Sequence, residues 1–267
     1  MRNVIYLFII ALSLLTSCGL RLKPFDLESQ REEIEIARYD RLQSRYLATG
    51  DYSALQEMNT EYPIETRTLI EKVLQIGEVV DPNISTKYLH FYQDSTLQSL
   101  ISDTEAEYAD MTDLNKRFNK SFDRLLKWIP SLPIPKIYAQ IGALDQSVII
   151  GNKTIGICLD KYLGTNYPLY LKYYTYQQRV SMTRAYIVPD CLVFYLLSVY
   201  PITQADKRSQ LERDLHMAKI MWTVNKAVNQ KLFKTKYVMM VDNYMRKHPD
   251  KDIEQVLLND DYTTLLP

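Results

Sequence analysis

Between residues 133 and 164 the chain reads PIPKIYAQIGALDQSVIIGNKTIGICLDKYLG, and its hydrophobic pattern changes period there. Ile137, Ala139 and Ile141 alternate with other residues, Val148–Ile150 is a short apolar run, and Ile155, Ile157 and Leu159 alternate again after Gly151-Asn152. Period-two alternation on both sides of a glycine turn predicts a β-hairpin around residues 136–159. Elsewhere the apolar spacing is helical. Leu114, Phe118, Phe122, Leu125 and Leu126 predict one helix over residues 103–128, and Leu211, Leu215, Ala218, Trp222, Val228 and Leu232 a longer one over 203–234. Shorter helices are predicted at 51–59, 64–76, 94–101, 177–200 (interrupted at Val188-Pro189-Asp190), 238–246 and 253–258. Gly77 is a candidate C-cap of the second of these, and Asp81-Pro82-Asn83 a turn. Residues 33–40 alternate as a short strand entering a helix with Asp40 at its N-cap. The expected fold is α+β: a predominantly helical single domain over residues 31–267, packed on a small antiparallel sheet.

The N-terminus has a different character. Arg2 precedes an almost wholly apolar run from Val4 to Leu15, followed by Leu15-Thr16-Ser17-Cys18. The run is short against the ~20 residues that cross a bilayer, and it has the build of a secretory signal. Small residues directly before a cysteine look like a bacterial lipobox. Residues 1–17 are therefore expected to be a lipoprotein signal peptide, Cys18 the acylated first residue of the mature chain, and 18–30 a tether. Acyl chains hold firmly because each buried methylene adds roughly 0.8 kcal/mol. No Asp follows Cys18, and no acidic run lies beside it; the expected location is the outer membrane, on its periplasmic face.

Composition narrows function by exclusion. Lys plus Arg and Asp plus Glu number 32 each, against the basic surplus of a nucleic-acid binder. Seven glycines and no phosphate-cradling motif argue against a nucleotide fold. The three histidines, His90, His216 and His248, are far apart and none lies in H-E-x-x-H. No metal site or cofactor is expected. Cys158 and Cys191 would share an oxidising compartment, where a disulfide is possible, but both sit in apolar runs where free cysteine behaves as a small hydrophobe. The tyrosines Tyr167, Tyr170, Tyr173, Tyr174 and Tyr176, among 21 in the chain, offer two readings: an aromatic platform for a glycan or protein partner, or a cover over the hairpin. Asp160, beside Lys161, and Asp190, with Arg184 nearby, are candidate site carboxylates, with helix capping as their default role.

The order of short motifs resembles a known family. Ile34–Asp40 reads I-x-I-x-R-[FY]-D, Asp51 to Leu55 reads D-x3-L, and Tyr62-Pro63 and Val73–Gly77 follow. Ile134–Tyr138 and Ile157–Gly164 read I-P-x-I-Y and I-x-L-D-x-Y-L-G. Tyr186–Asp190, Tyr244-Met245 and Asp260-Asp261-Tyr262 complete the set. Together with the lipobox, this resembles the GldB-type gliding-motility lipoproteins of Bacteroidetes and their relatives in non-gliding members. Between Lys234 and Tyr237 the chain looks shorter than the family pattern. The resemblance implies an envelope lipoprotein acting with protein partners in surface motility or related assembly, with no established chemistry. The scaffold is also distantly similar to predicted zinc peptidases, which implies a zincin-like fold here without the metal motif, a pseudoenzyme. A non-catalytic accessory or scaffold is the first expectation; a periplasmic glycan-binding module and an unrecognised envelope hydrolase are the alternatives.

Overall fold

The hairpin forms where the alternation places it. In a computed structural model that describes residues 32–266, strand β2 (Val148–Gly151) turns through Asn152-Lys153 and pairs antiparallel with β3 (Thr154–Cys158). Strand β1 (Lys136–Gln140) lies on the other side of β3 and pairs with it in parallel, Ile137 opposite Ile155 and Ala139 opposite Ile157. The sheet is thus mixed, in the order β1-β3-β2, and the wholly antiparallel sheet expected from the sequence is corrected. Alternation of apolar residues is the same for either strand direction. Here the 141–147 loop leaves a gap one strand wide, and the hairpin's return strand fills it. The expected strand at 33–38 shrinks to a single parallel bridge, Ala37 to Tyr138 on the outer edge of β1. Its neighbours are held by side chains instead: Asn119 and Asn115 accept from the amides of Ile34 and Ile36, at 2.9 and 3.1 Å.

Because alternate residues face opposite sides of a sheet, the strands serve two cores. One face gives Ile137, Ala139, Ile155 and Ile157 to the larger core; the other gives Tyr138 and Ile149 to a smaller, tyrosine-rich one. The smaller core is built by α1 (Tyr39–Thr49), α2 (Tyr52–Glu61), α3 (Pro63–Thr68, running on into a wide turn at Leu69–Val73) and α4 (Ile84–Phe91). Tyr39, Tyr46, Tyr88 and Tyr92 are fully buried there, and each hydroxyl finds a partner. Tyr39 donates to Thr66, Tyr46 to the Ser85 carbonyl and Tyr92 to the Ile141 carbonyl, while Tyr88 accepts from Gln43. A buried tyrosine with a bonded hydroxyl keeps its apolar contribution without the penalty of an unpaired polar atom. Gln43 also bonds both the amide and the carbonyl of Ile141, taking the place of a neighbouring strand.

Several helix ends differ from expectation for local reasons. Asp40 does not cap α1; it is buried in the first turn and pairs with Arg38 at 2.7 Å. Gly77 caps nothing, because the helix ends at Val73 and Gln75 already has φ 52°. The predicted 103–128 helix is two, α5 (Ser95–Glu107, capped by Asp94) and α6 (Thr112–Trp128). The 177–200 region is broken into the turn α8 (Tyr176–Arg179), a 3-10 turn at Arg184–Tyr186 and α9 (Ile187–Val199), preceded by α7 (Pro168–Tyr173). Pro189 lies in the first turn of α9, where its missing amide costs nothing, so it interrupts no helix. The longest helix, α10 (Gln210–Val228), starts at the Ser209/Glu212 capping box and stops at Asn229, whose φ is 55°. It is shorter at both ends than the predicted 203–234. Helices α11 (Lys236–Lys247) and α12 (Ile253–Leu258) complete the chain. Helix α9 packs on β2 and β3, and α6 and α10 pack on α9 to complete the larger core. Residues 1–31, which hold the expected signal peptide, Cys18 and the tether, lie outside the described residues.

Candidate functional site

Most of the candidate polar residues converge below the C-terminal end of β3. The chain leaves Cys158 into a short turn, Leu159–Lys161, and Asp160 is carried inward with no exposed surface. Asp160 does not cap a helix. One carboxylate oxygen accepts from the Gly142 amide at 2.7 Å and the other from the Leu144 amide at 2.6 Å. It thereby pins the β1–β2 loop, where Ala143 and Leu144 both take left-handed φ values of 52° and 63°. Non-glycine residues occupy that region only when their surroundings enforce it. The same loop is held from outside by Lys161 and Tyr174, both bonded to the Leu144 carbonyl at 3.2 and 3.1 Å, with the Lys161 ammonium 4.5 Å from the Tyr174 ring centre. Burial pushes the Asp160 carboxyl above its ordinary pKa, and the two amide donors oppose that shift.

Two residues further on, Tyr162 crosses to α9 and its hydroxyl donates to Asp190 at 3.0 Å. Asp190 sits in the first turn of α9, not at a cap. Desolvation raises its pKa to about 7, with the Tyr162 hydrogen bond pulling the other way. Since the ordinary value is 3.8, the folded state keeps this proton while the unfolded chain has lost it. Its contribution to stability is full at acid pH and is lost as pH rises from about 4 through about 7. Asp190→Asn, which still accepts from Tyr162, is expected to remove this dependence and to gain about 2–4 kcal/mol on the parent between pH 4 and pH 8. Urea unfolding across that range checks it; parallel curves for the two proteins would exclude the assignment.

The remaining candidates separate. Arg184 does not pair with Asp190; it holds Asp113 at 2.5 Å, donates to the carbonyls of Glu107 and Asp110, and lies 5.0 Å from the Tyr108 ring centre. Cys158 and Cys191 are both buried free thiols, so the possible disulfide is not formed. Burial pushes both thiols well above the usual range, which keeps them protonated and unreactive. The five tyrosines do not make one platform. Tyr170 is fully buried, donating to the Asp160 carbonyl and accepting from the Leu163 amide; Tyr167 donates to Asp103; Tyr174 belongs to the loop clamp. Tyr173 and Tyr176 alone face solvent, 70 % and 67 % exposed. Sequence reading missed Tyr108, whose hydroxyl donates to the Tyr162 carbonyl at 2.7 Å, and Tyr162 as the partner of Asp190. The repeated tyrosine spacing carried no sign of either contact.

Helix α9 carries no zinc-peptidase motif. It offers Asp190 and Cys191 and no histidine, so the two imidazoles and the glutamate that a zinc-peptidase helix supplies are not there. Among the described residues no group of three or more His, Cys, Asp or Glu side chains is placed to hold a metal ion. His216, the buried histidine, has both ring nitrogens engaged, by Tyr262 and the Tyr200 carbonyl. Among the described residues no helix is long and apolar enough to cross a membrane.

No curated protein and no solved structure matches the chain, so the zincin-like part of the expectation finds no support. A family model described as gliding motility protein GldB matches residues 23–237. That match covers the smaller core, the mixed sheet, the Asp160–Tyr162–Asp190 seam and the larger core up to the end of α10, and on it the chain belongs to the GldB family of gliding-motility lipoproteins.

Proposed function

We propose that this protein is a lipid-anchored envelope component, held at the periplasmic face of the outer membrane through Cys18, that serves a partner assembly as a non-catalytic accessory or scaffold. The observation that carries this reading is how the seam's chemistry is used. Asp160 is committed to two loop amides, Asp190 to Tyr162, and both thiols are buried and protonated. These groups hold the β1–β2 loop and α9 in place, and none is left at the surface as a nucleophile or base. Family membership supports an envelope role in gliding-related machinery.

Crosslinking the tagged chain in intact envelopes, with Cys18→Ala as the unanchored control, tests the proposal. A recurrent protein partner recovered only with the anchored chain is the expected result. Recovery of the same partner with the unanchored chain would remove the anchor from the function. A second reading rests on the exposed pair Tyr173 and Tyr176, beside the exposed Leu171 and Val180. Crosslinked glycan in place of protein would favour that surface as a glycan-binding platform.

A further inference from the structure

Charge is unevenly spread in this neutral chain. Residues 226–247 carry six basic side chains, Lys226, Lys231, Lys234, Lys236, Arg246 and Lys247, against one acid, Asp242. They fall on the end of α10, the following loop and α11. The loop is a fixed part of the fold. Asn229 ends α10 in the left-handed conformation, and Thr235 caps α11 through the Val238 amide. The Asn225 side chain accepts from the amides of Leu232 and Phe233 at 3.0 and 3.1 Å and donates to the Phe233 carbonyl at 2.8 Å.

Between the two helices this frame leaves a groove of about 580 Å³. Its apolar lining comes from Trp222, Phe233, Val238 and Met239, the last 56 % exposed. Four cations stand around it: Lys226, Lys231, Lys234 and Arg246. The acid inside, Asp242, is already engaged, accepting from the Trp222 indole at 2.9 Å and pairing with Lys226 at 3.4 Å and with Arg246. The groove therefore combines an apolar lining with cations that Asp242 does not fully balance.

We propose that the groove binds a single-chain anionic amphiphile of the fatty-acid type, its alkyl chain against Trp222, Phe233, Val238 and Met239 and its carboxylate between Lys231 and Lys234. Apolar burial and charge complementarity act together in such a site, and its size is that of a small-ligand pocket, roughly 300–1,000 Å³. An extended peptide is the poorer occupant. The sheet belongs to other elements, so the groove offers no strand edge for backbone pairing. This inference is independent of the scaffold reading, since it concerns a different face and is tested on the purified chain.

Trp222 is itself the reporter. In the purified full chain carrying Trp128→Phe, dodecanoate below its micelle concentration is expected to shift Trp222 emission saturably. Dodecanol, of the same length but uncharged, should bind about tenfold more weakly, and Lys231→Glu with Lys234→Glu should raise the dodecanoate Kd about tenfold or more at unchanged Tm. Equal binding of dodecanol and dodecanoate, or an unchanged Kd in the double variant, would overturn the proposal. So would sedimentation with phosphatidylglycerol vesicles but no response to dodecanoate, which would make the patch a membrane-surface contact. Displacement of dodecanoate by a Glu- and Leu-rich peptide at lower concentration would assign the groove to a protein partner.

Discussion

Replacing Gly156 with alanine is expected to cost about 3 kcal/mol and to lower Tm by roughly 6–12 °C. Gly156 is at the centre of β3, the middle strand, and faces Tyr138 on β1 in register. A Cβ built there would meet the end of the Tyr138 ring, its Cζ and hydroxyl, at 2.5 Å. The ring cannot simply swing away. Tyr138 is 4 % exposed and packs edge-on against Tyr39, 6.2 Å between centroids, in the tyrosine-rich core. Glycine in a central strand ordinarily weakens it, and close cover by an aromatic neighbour is a physical reason to keep one. The added methyl must therefore displace either the strand or a core ring, and overpacking of this kind is costly. The loss should depend on the ring. In a Tyr138→Leu background, which is itself destabilised, the further cost of Gly156→Ala should fall by at least about 1 kcal/mol, measured as a double-mutant cycle in urea. An additive cycle would mean that the two residues do not compete for this space.

The second large effect is expected at Asp160. Asp160→Ala leaves the buried Gly142 amide and the partly buried Leu144 amide without their acceptor, and an unsatisfied buried donor costs about 1–3 kcal/mol. Removing a carboxyl that burial already disfavours offsets part of that, so a net loss of about 2–4 kcal/mol is expected. Asp160→Asn restores one acceptor but turns a donor toward the other amide, and should fall between parent and Ala. The local signature is more specific than the global one. Hydrogen exchange at Gly142 and Leu144 should accelerate in the Ala variant well beyond the change at Ala139, whose amide bonds the Ala37 carbonyl at 2.9 Å. Uniform acceleration across the three amides would show that the loop is not held by Asp160.

These two sites mark where the sequence is readable and where it is not. The β2–β3 hairpin is legible because both strands and the turn between them are contiguous, although the turn falls at Asn152-Lys153, one residue later than the Gly151-Asn152 signal. The parallel partner β1 is not, since the alternation of Ile137 and Ala139 is identical for either strand direction. Local capping is partly visible: Asp51 and Asp94, the first residues of the predicted 51–59 and 94–101 helices, cap α2 and α5, and the Ser209-x-x-Glu212 box stands in plain sequence at the true start of α10. Asp160 looked equally like a cap. Its real partners are amides 16 and 18 residues away, a distance that no local pattern encodes. The tyrosines leave two readings open in the sequence for a similar reason. Tyrosine is as often half exposed as buried, and what commits Tyr88, Tyr92, Tyr108 and Tyr170 to the interior is a hydroxyl partner in each case from another part of the fold. The groove beside α11 was invisible as a site because its cations are spread over 21 residues and meet only when Asn225 and Asn229 fold the loop back.

The claim that the buried seam supports the fold and performs no chemistry is tested most directly in cells. A strain lacking this protein would be complemented with Asp190→Asn, the variant that removes the carboxyl whose pKa is raised to about 7 while keeping its acceptor for Tyr162. With anchoring and protein level matched to the parent, full restoration of the envelope phenotype is the predicted result. A folded, anchored Asp190→Asn chain that fails to complement would contradict it and make Asp190 a working acid or base.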